Sequence, residues 1–208
     1  MISIDPSKQT DSENYKLLIG SIIPRPIALV TTLSHEGVLN AAPFSYFSII
    51  ASHPPLISIS VQRKQRVMKD TARNAIEKGS FVVHITDESM IHRVNETAAN
   101  LAPNESEVER AGFTPIASEV IDVPGLQEAK IRMECLLERA IELGGSVGED
   151  GELQPACDLL IGRVVRFHFA EEVYEQGHIN SDKLNPLSRL AGNDYAVLGT
   201  RISLERPE

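Results

Sequence analysis

Residues 11–20 carry the spacing of a short helix closed by Gly20, and Pro24-Arg25-Pro26 then forbids its continuation. The run Ile27-Ala28-Leu29-Val30-Thr31-Thr32-Leu33 ends in β-branched and aliphatic residues and predicts a strand. Ser34-His35-Glu36-Gly37 offers a turn and Val38-Leu39-Asn40-Ala41 resumes an extended run, so this stretch predicts a hairpin. Beyond Pro54-Pro55, residues 56–61 read as another strand.

The period then changes. Met68, Thr71, Ala72, Ala75 and Ile76 fall on one helical face, with Asp70 in position to cap and Gly79 to terminate. Residues 81–85 predict a strand. Ile91, Val94, Ala98 and Leu101 predict a helix capped by Asp87, and a short helix is expected near residues 105–111. Two long alternating segments follow. Ile131, Met133, Cys135, Leu137, Ile141 and Leu143 take odd positions opposite charged even ones, and Leu159, Ile161, Val165, Phe167 and Phe169 repeat the alternation. Both predict half-buried antiparallel strands. The glycine-rich residues 144–151 between them predict a solvent loop.

This order predicts a mainly β chain with a few helices, an antiparallel barrel rather than a doubly wound parallel sheet. No linker forces a boundary, so residues 1–208 are expected to form one domain.

Composition narrows the function. The formal charge of −9 and the absence of Trp disfavour nucleic-acid and anionic-membrane surfaces. The two cysteines and six histidines show no zinc-ligand spacing, and Cys135 reads as a small core residue. No signal peptide or bilayer-length apolar run is visible, which predicts a cytoplasmic protein without membrane contact. Dinucleotide-binding, P-loop, nucleophile-elbow and zinc-protease strings are absent.

Four strings, in order, then carry a resemblance. They are residues 24–32 (PRPIALVTT), residues 40–47 (NAAPFSYF), Pro54-Pro55-Leu56 and Lys69-Asp70-Thr71; 162–165 and 189–195 match more loosely. Together they resemble the flavin reductase-like family over residues 15–200. The resemblance implies an FMN-binding split β-barrel, a homodimer with one FMN per chain near the interface. It also implies a C-terminal tail, residues 171–208, packed on the barrel or on the neighbouring subunit.

The residues offer matching chemistry. Thr31 and Thr32 present two successive hydroxyls. The helix start at Lys69 and Thr71 offers free N–H groups, an ammonium and a hydroxyl to a phosphate, with Asp70 turned inward as the cap. An ordinary capped helix is the competing reading. Asn40, Ala41, Ala42, Pro43, Ser45, Tyr46 and Phe47 are placed by the resemblance against the flavin ring and ribityl chain; small side chains and a fixed proline let backbone approach a flat ring. The competing reading is a proline-interrupted edge strand. Arg25 is expected at the surface, with a contact to the phosphate as the competing reading. His84 stands where the family often has Asn, and His168, His178, Arg189 and Tyr195 have open roles.

The function implied is an oxidoreductase taking hydride from NAD(P)H and passing electrons to free flavin or another acceptor, such as a monooxygenase. Hydride chemistry belongs to the cofactor, so no catalytic side chain is nominated and no metal is expected. The rivals are a flavoredoxin-like electron carrier, a flavin-free ligand-binding barrel and a pyridoxamine-phosphate-oxidase-like enzyme.

Overall fold

A computed structural model describes residues 1–148 and 151–207; Glu149 and Asp150 of the expected loop lie outside the described residues. Strands β1 (Ala28–Leu33) and β2 (Leu39–Phe44) form the expected hairpin, and β3 (Phe47–Ser52) and β4 (Pro55–Gln62) form a second. With β5 (Ser80–Ile85), β6 (Ile131–Leu143) and β7 (Cys157–Phe169) they make one antiparallel sheet in the order β2-β1-β5-β6-β7-β4-β3.

That order puts β2 and β3 on opposite edges, although only Ser45 and Tyr46 separate them in sequence. A flat sheet of this width would hold its edges about 28 Å apart. The chain from Phe44 to Phe47 reaches about 11 Å at most. The sheet must therefore roll up until its edges meet, and the Ser60 N–H, donating to the Tyr46 carbonyl at 2.9 Å, carries the β3–β4 ladder into that short connection. The barrel follows from this short connection.

Val30, Ile59, Phe81 and Leu160 are fully buried inside it. Phe81 fills the centre against Gly162 of β7, where an added Cβ would lie 2.4 Å from the ring. Only glycine leaves that room. In β7 the buried positions are the even ones, Asp158, Leu160, Gly162 and Val164. The apolar odd positions are the less covered: Leu159, Ile161 and Val165 are half-buried, and Phe167 and Phe169 are exposed. The alternation thus marks the strand but not its inner face.

Helix α1 (Asp11–Ser21) starts at a capping box between Thr10 and Glu13 and runs through Gly20 instead of ending there. Helix α2 (Asp70–Lys78) presses Ala72 and Ala75 into the core and ends at Gly79, whose φ of 67° suits glycine. Helix α3 (Ile91–Glu96) is shorter than its spacing predicts, because residues 97–100 leave the helix; Asp87 caps the 3₁₀ turn before it. Helix α4 (Glu107–Arg110) is the expected short one, and α5 (Ser181–Leu184) follows β7. Near the C-terminus, Ser188–Arg189 pairs with Tyr195–Ala196 and also with Arg25–Pro26. This hairpin returns the end of the chain to the mouth of the β1 strand.

His84 in β5 is completely buried. Its Nδ1 donates to the Leu29 carbonyl at 2.8 Å, and its Nε2 accepts from the Leu126 N–H at 2.9 Å. A nitrogen that accepts carries no proton, so the ring is the neutral Nδ1–H tautomer. Burial is the main cause that pushes its pKa down from 6.5 to about 4. Between those values the unfolded chain binds a proton that the folded one refuses. Stability is therefore full above the unfolded value and falls with acid toward the folded one, by about 3 kcal/mol. Denaturation at neutral and acidic pH should show a smaller acid loss in His84→Gln than in the wild type. Identical losses would remove His84 from the acid response.

Candidate functional site

Three clefts of about 460, 690 and 250 Å³ meet around Pro43 and Phe44 at the end of β2. The first lies beside the start of α2, the second beside α3 and the third beside α1. β2 is an edge strand, which is where a proline can sit without removing a ladder hydrogen bond. Phe44 lines all three clefts, so one apolar ring joins them into a continuous surface.

The α2 cleft ends at an anion-ready helix start. The capping position is Lys69, not Asp70, and its side chain makes no cap bond. Asp70 lies inside the first turn, and its carboxylate is taken by Arg73 one turn on. The reason is helical spacing: a carboxylate at the first helical residue meets a cation three positions later and complements the helix dipole. The first backbone N–H groups of α2 are thereby left without a side-chain cap. Lys69 stands beside them with its ammonium 6.0 Å from the Phe44 ring centroid. Desolvation, then the neighbouring charge of Lys64, lowers its pKa.

Behind this end lies a buried polar network. The Asn40 Nδ2 donates to Glu107 Oε2 at 2.8 Å, and the Ala41 N–H donates to the same oxygen at 3.3 Å. The hydroxyls of Thr71 and Thr32 donate to Asn40 Oδ1 at 3.1 and 3.3 Å, and Asn74 Nδ2 donates to Thr32. Burial, the largest cause, raises the pKa of Glu107.

The structure brings Asn40, Ala42, Pro43, Lys69 and Thr71 to the α2 cleft, and Ser45 and Tyr46 to the α1 cleft. Thr31, Thr32, Ala41 and Phe47 line none of the three. Thr31 spends its hydroxyl on the Pro124 carbonyl at 2.7 Å, Ala41 is buried in the core, and Phe47 packs against the barrel interior. Arg25 is not at the surface. It is 6% exposed, and its guanidinium donates to the carbonyls of Ile19, Ile22 and Leu190, closing the end of α1 and tying it to the C-terminal hairpin. His168 is held by buried Glu134 at 2.6 Å, a carboxylate that also accepts three backbone N–H groups from residues 119–121. Arg189 lies 4.4 Å above the Tyr195 ring and lines the α1 and α3 clefts. Sequence reasoning passed over Phe44 and Glu107. A phenylalanine in a strand reads as core, and an acid in a short charged helix reads as solvated.

Comparison with known proteins decides the family. A model of the flavin reductase like domain matches residues 19–187. The chain belongs to the flavin reductase-like family. Among solved structures of this fold, nitrilotriacetate monooxygenase component B from Bacillus cereus is 66% identical with a TM-score of 0.94, covering 98% of each chain. The 2-nitrobenzoate 2-nitroreductase of Pseudomonas fluorescens is 34% identical with a TM-score of 0.87, over 99% of this chain and 96% of its own. The uncharacterized protein YwrF of Bacillus subtilis (strain 168) is 54% identical over 94% of each chain. A flavoredoxin of Desulfovibrio vulgaris shares the fold at 22% identity, with a TM-score of 0.74 over 88% of this chain and 91% of its own. The fold of this flavin reductase-like protein is therefore the antiparallel split barrel: the residue pattern predicts the antiparallel barrel, and the resemblance implies its split form.

Proposed function

We propose that this flavin reductase-like protein holds FMN around Phe44 and passes electrons from NAD(P)H to a diffusible flavin or a partner monooxygenase. The observation that carries the reading is the uncapped start of α2 with Lys69, set against the apolar wall of Pro43 and Phe44. A phosphate and a flat ring joined by a short chain need those two features side by side. When bound, the flavin supplies the hydride chemistry at its own ring. The chain's residues position it. Pro43 and Phe44 give the ring an apolar face, the backbone of Ala42 and Ser45 borders its edge, and the α2 N–H groups with Lys69 hold the anionic end. Likeness to a monooxygenase component B supports a protein acceptor downstream.

A second reading, direct reduction of a nitroaromatic, draws on the nitroreductase relative and on the α3 cleft. Tyr195, Arg189 and His92 line that cleft together with Asn95, Asn193, Ser45 and apolar side chains, with no carboxylate among the described residues, which suits an anionic aromatic. Visible spectra of the purified protein, before and after anaerobic NADH, test the main reading. Rapid bleaching of a yellow protein supports it. A colourless protein that takes up no added FMN overturns it, and reduction only by a reduced protein partner leaves the carrier role.

The reading includes a cytoplasmic homodimer. Ile49 and Ile50 on β3 and Ile141 and Leu143 on β6 are exposed in one protomer, apolar positions that a second copy would cover. No helix among the described residues is long and apolar enough to cross a membrane. Sedimentation should give about twice the 22.8 kDa chain mass. A stable FMN-loaded monomer would exclude the dimer.

A further inference from the structure

Glu107 is 6% exposed, lines the α2 cleft with Lys69 and Thr71, and has no ion-pair partner among the described residues. Its neighbours are of the wrong kind to neutralise it. Oε2 accepts two N–H groups, from Asn40 and Ala41, and neither carries a charge. The charged groups that share the cleft are Asp70, Lys64 and Lys69. Asp70 opposes Glu107's ionisation while pairing with Arg73, and on its own short helix Glu109 and Arg110 flank it.

We propose that Glu107 is the positioning residue for the anionic end of the cleft, and that it gives up its negative charge by taking a proton when a phosphate binds there. This rests on the FMN reading above and deepens it. The positioning half follows from hydrogen-bond chemistry. An ionised carboxylate only accepts, so Asn40 must turn its NH₂ toward Glu107 and its Oδ1 toward the hydroxyls of Thr32 and Thr71. Thr71 then spends its hydroxyl proton inward, and the donors left for an anion are the α2 backbone N–H groups and the Lys69 ammonium. The charge half follows from Coulomb's law. A buried carboxylate beside a bound phosphate is like-charge contact in a poorly screened site, and protonation removes it. Burial already moves Glu107 in that direction.

Glu107→Gln separates the two halves. The amide oxygen still accepts from Asn40 and Ala41, while the charge is gone. Titrations of FMN and of riboflavin, which lacks the phosphate, are followed by flavin fluorescence between about pH 5 and about pH 8. In acid the wild type and Glu107→Gln should bind FMN alike. As pH rises and Glu107 ionises, the wild type should fall behind by on the order of tenfold. The second ionisation of free FMN's phosphate, at about pH 6, is common to both titrations and cancels in the ratio, so the divergence reports the charge that Glu107 presents to bound phosphate. Riboflavin should show no such divergence. Glu107→Ala should weaken FMN binding at every pH, with Glu107→Gln restoring it, because only the alanine frees Asn40. Parallel wild-type and Gln curves, or equal divergence for riboflavin, overturn this inference and leave the FMN reading standing. Failure of the wild type to bind FMN at all overturns both.

Discussion

Lys69→Ala should bind FMN about 10- to 100-fold more weakly than the wild type, while riboflavin binding stays nearly unchanged. The ammonium supplies a charge-assisted hydrogen bond to a phosphate, worth about 1.5–3 kcal/mol, and each 1.4 kcal/mol is about tenfold. The structure removes the usual objection that a helix start has been damaged. Lys69 makes no side-chain cap bond, so alanine deletes none. Its contact with Phe44, at 6.0 Å, is the outer limit of a cation–π interaction and worth about 0.5 kcal/mol. Paired fluorescence titrations decide the matter. Equal losses for both ligands would move the anion elsewhere, since Thr31 and Thr32 have no free hydroxyl proton to offer in its place.

The reason the sequence located this region but misjudged its details lies in what periodicity encodes. Small residues and a proline at 41–45 mark a backbone that something approaches, and the β1–β2 hairpin and α2 follow directly from their patterns. Hydrogen-bond direction is not periodic. Thr32 and Thr71 look like ligand donors in the sequence, yet both point at Asn40, and that choice is made by Glu107, which lies 67 positions from Asn40 in the chain. Arg25 shows the same limit. Between two prolines it reads as surface, but the fold gathers three carbonyls around it, two from the nearby end of α1 and one from Leu190, 165 positions away. In β7 the alternation was legible and its sense was not, because the outer face of a barrel that still exposes apolar side chains looks like an inner one. The turn at Lys64 to Val67 gave no warning either. Gln65 and Arg66 both have positive φ, 50° and 67°, without the Gly or Asn that usually announces such a turn.

Asp158→Ala should cost about 3–5 kcal/mol and lower the melting temperature by roughly 6–20 °C, the largest stability loss expected of any single change considered. Asp158 is 1% exposed and receives Arg63 in a two-pronged grip, Nε at 2.9 Å and Nη2 at 2.6 Å. Arg63 is almost as covered, with 9% of its side chain accessible, and its second partner Glu142 is largely in solvent. Deleting Asp158 therefore leaves a largely covered guanidinium with only a screened carboxylate to answer it. Removing both ends, as in Arg63→Met with Asp158→Leu, should recover most of the loss, because two apolar side chains need no desolvation. A double-mutant cycle by thermal melts measures the difference, and additive losses would show that the pair is not coupled. The clamp also bears on the site. Gln62 before Arg63 lines the α1 cleft and Lys64 after it lines the α2 cleft, so the grip on Arg63 fixes where β4 stops and its loop begins. Asp158→Ala should accordingly weaken FMN and riboflavin binding together, unlike Lys69→Ala, because it disturbs the walls of both clefts and not the phosphate alone.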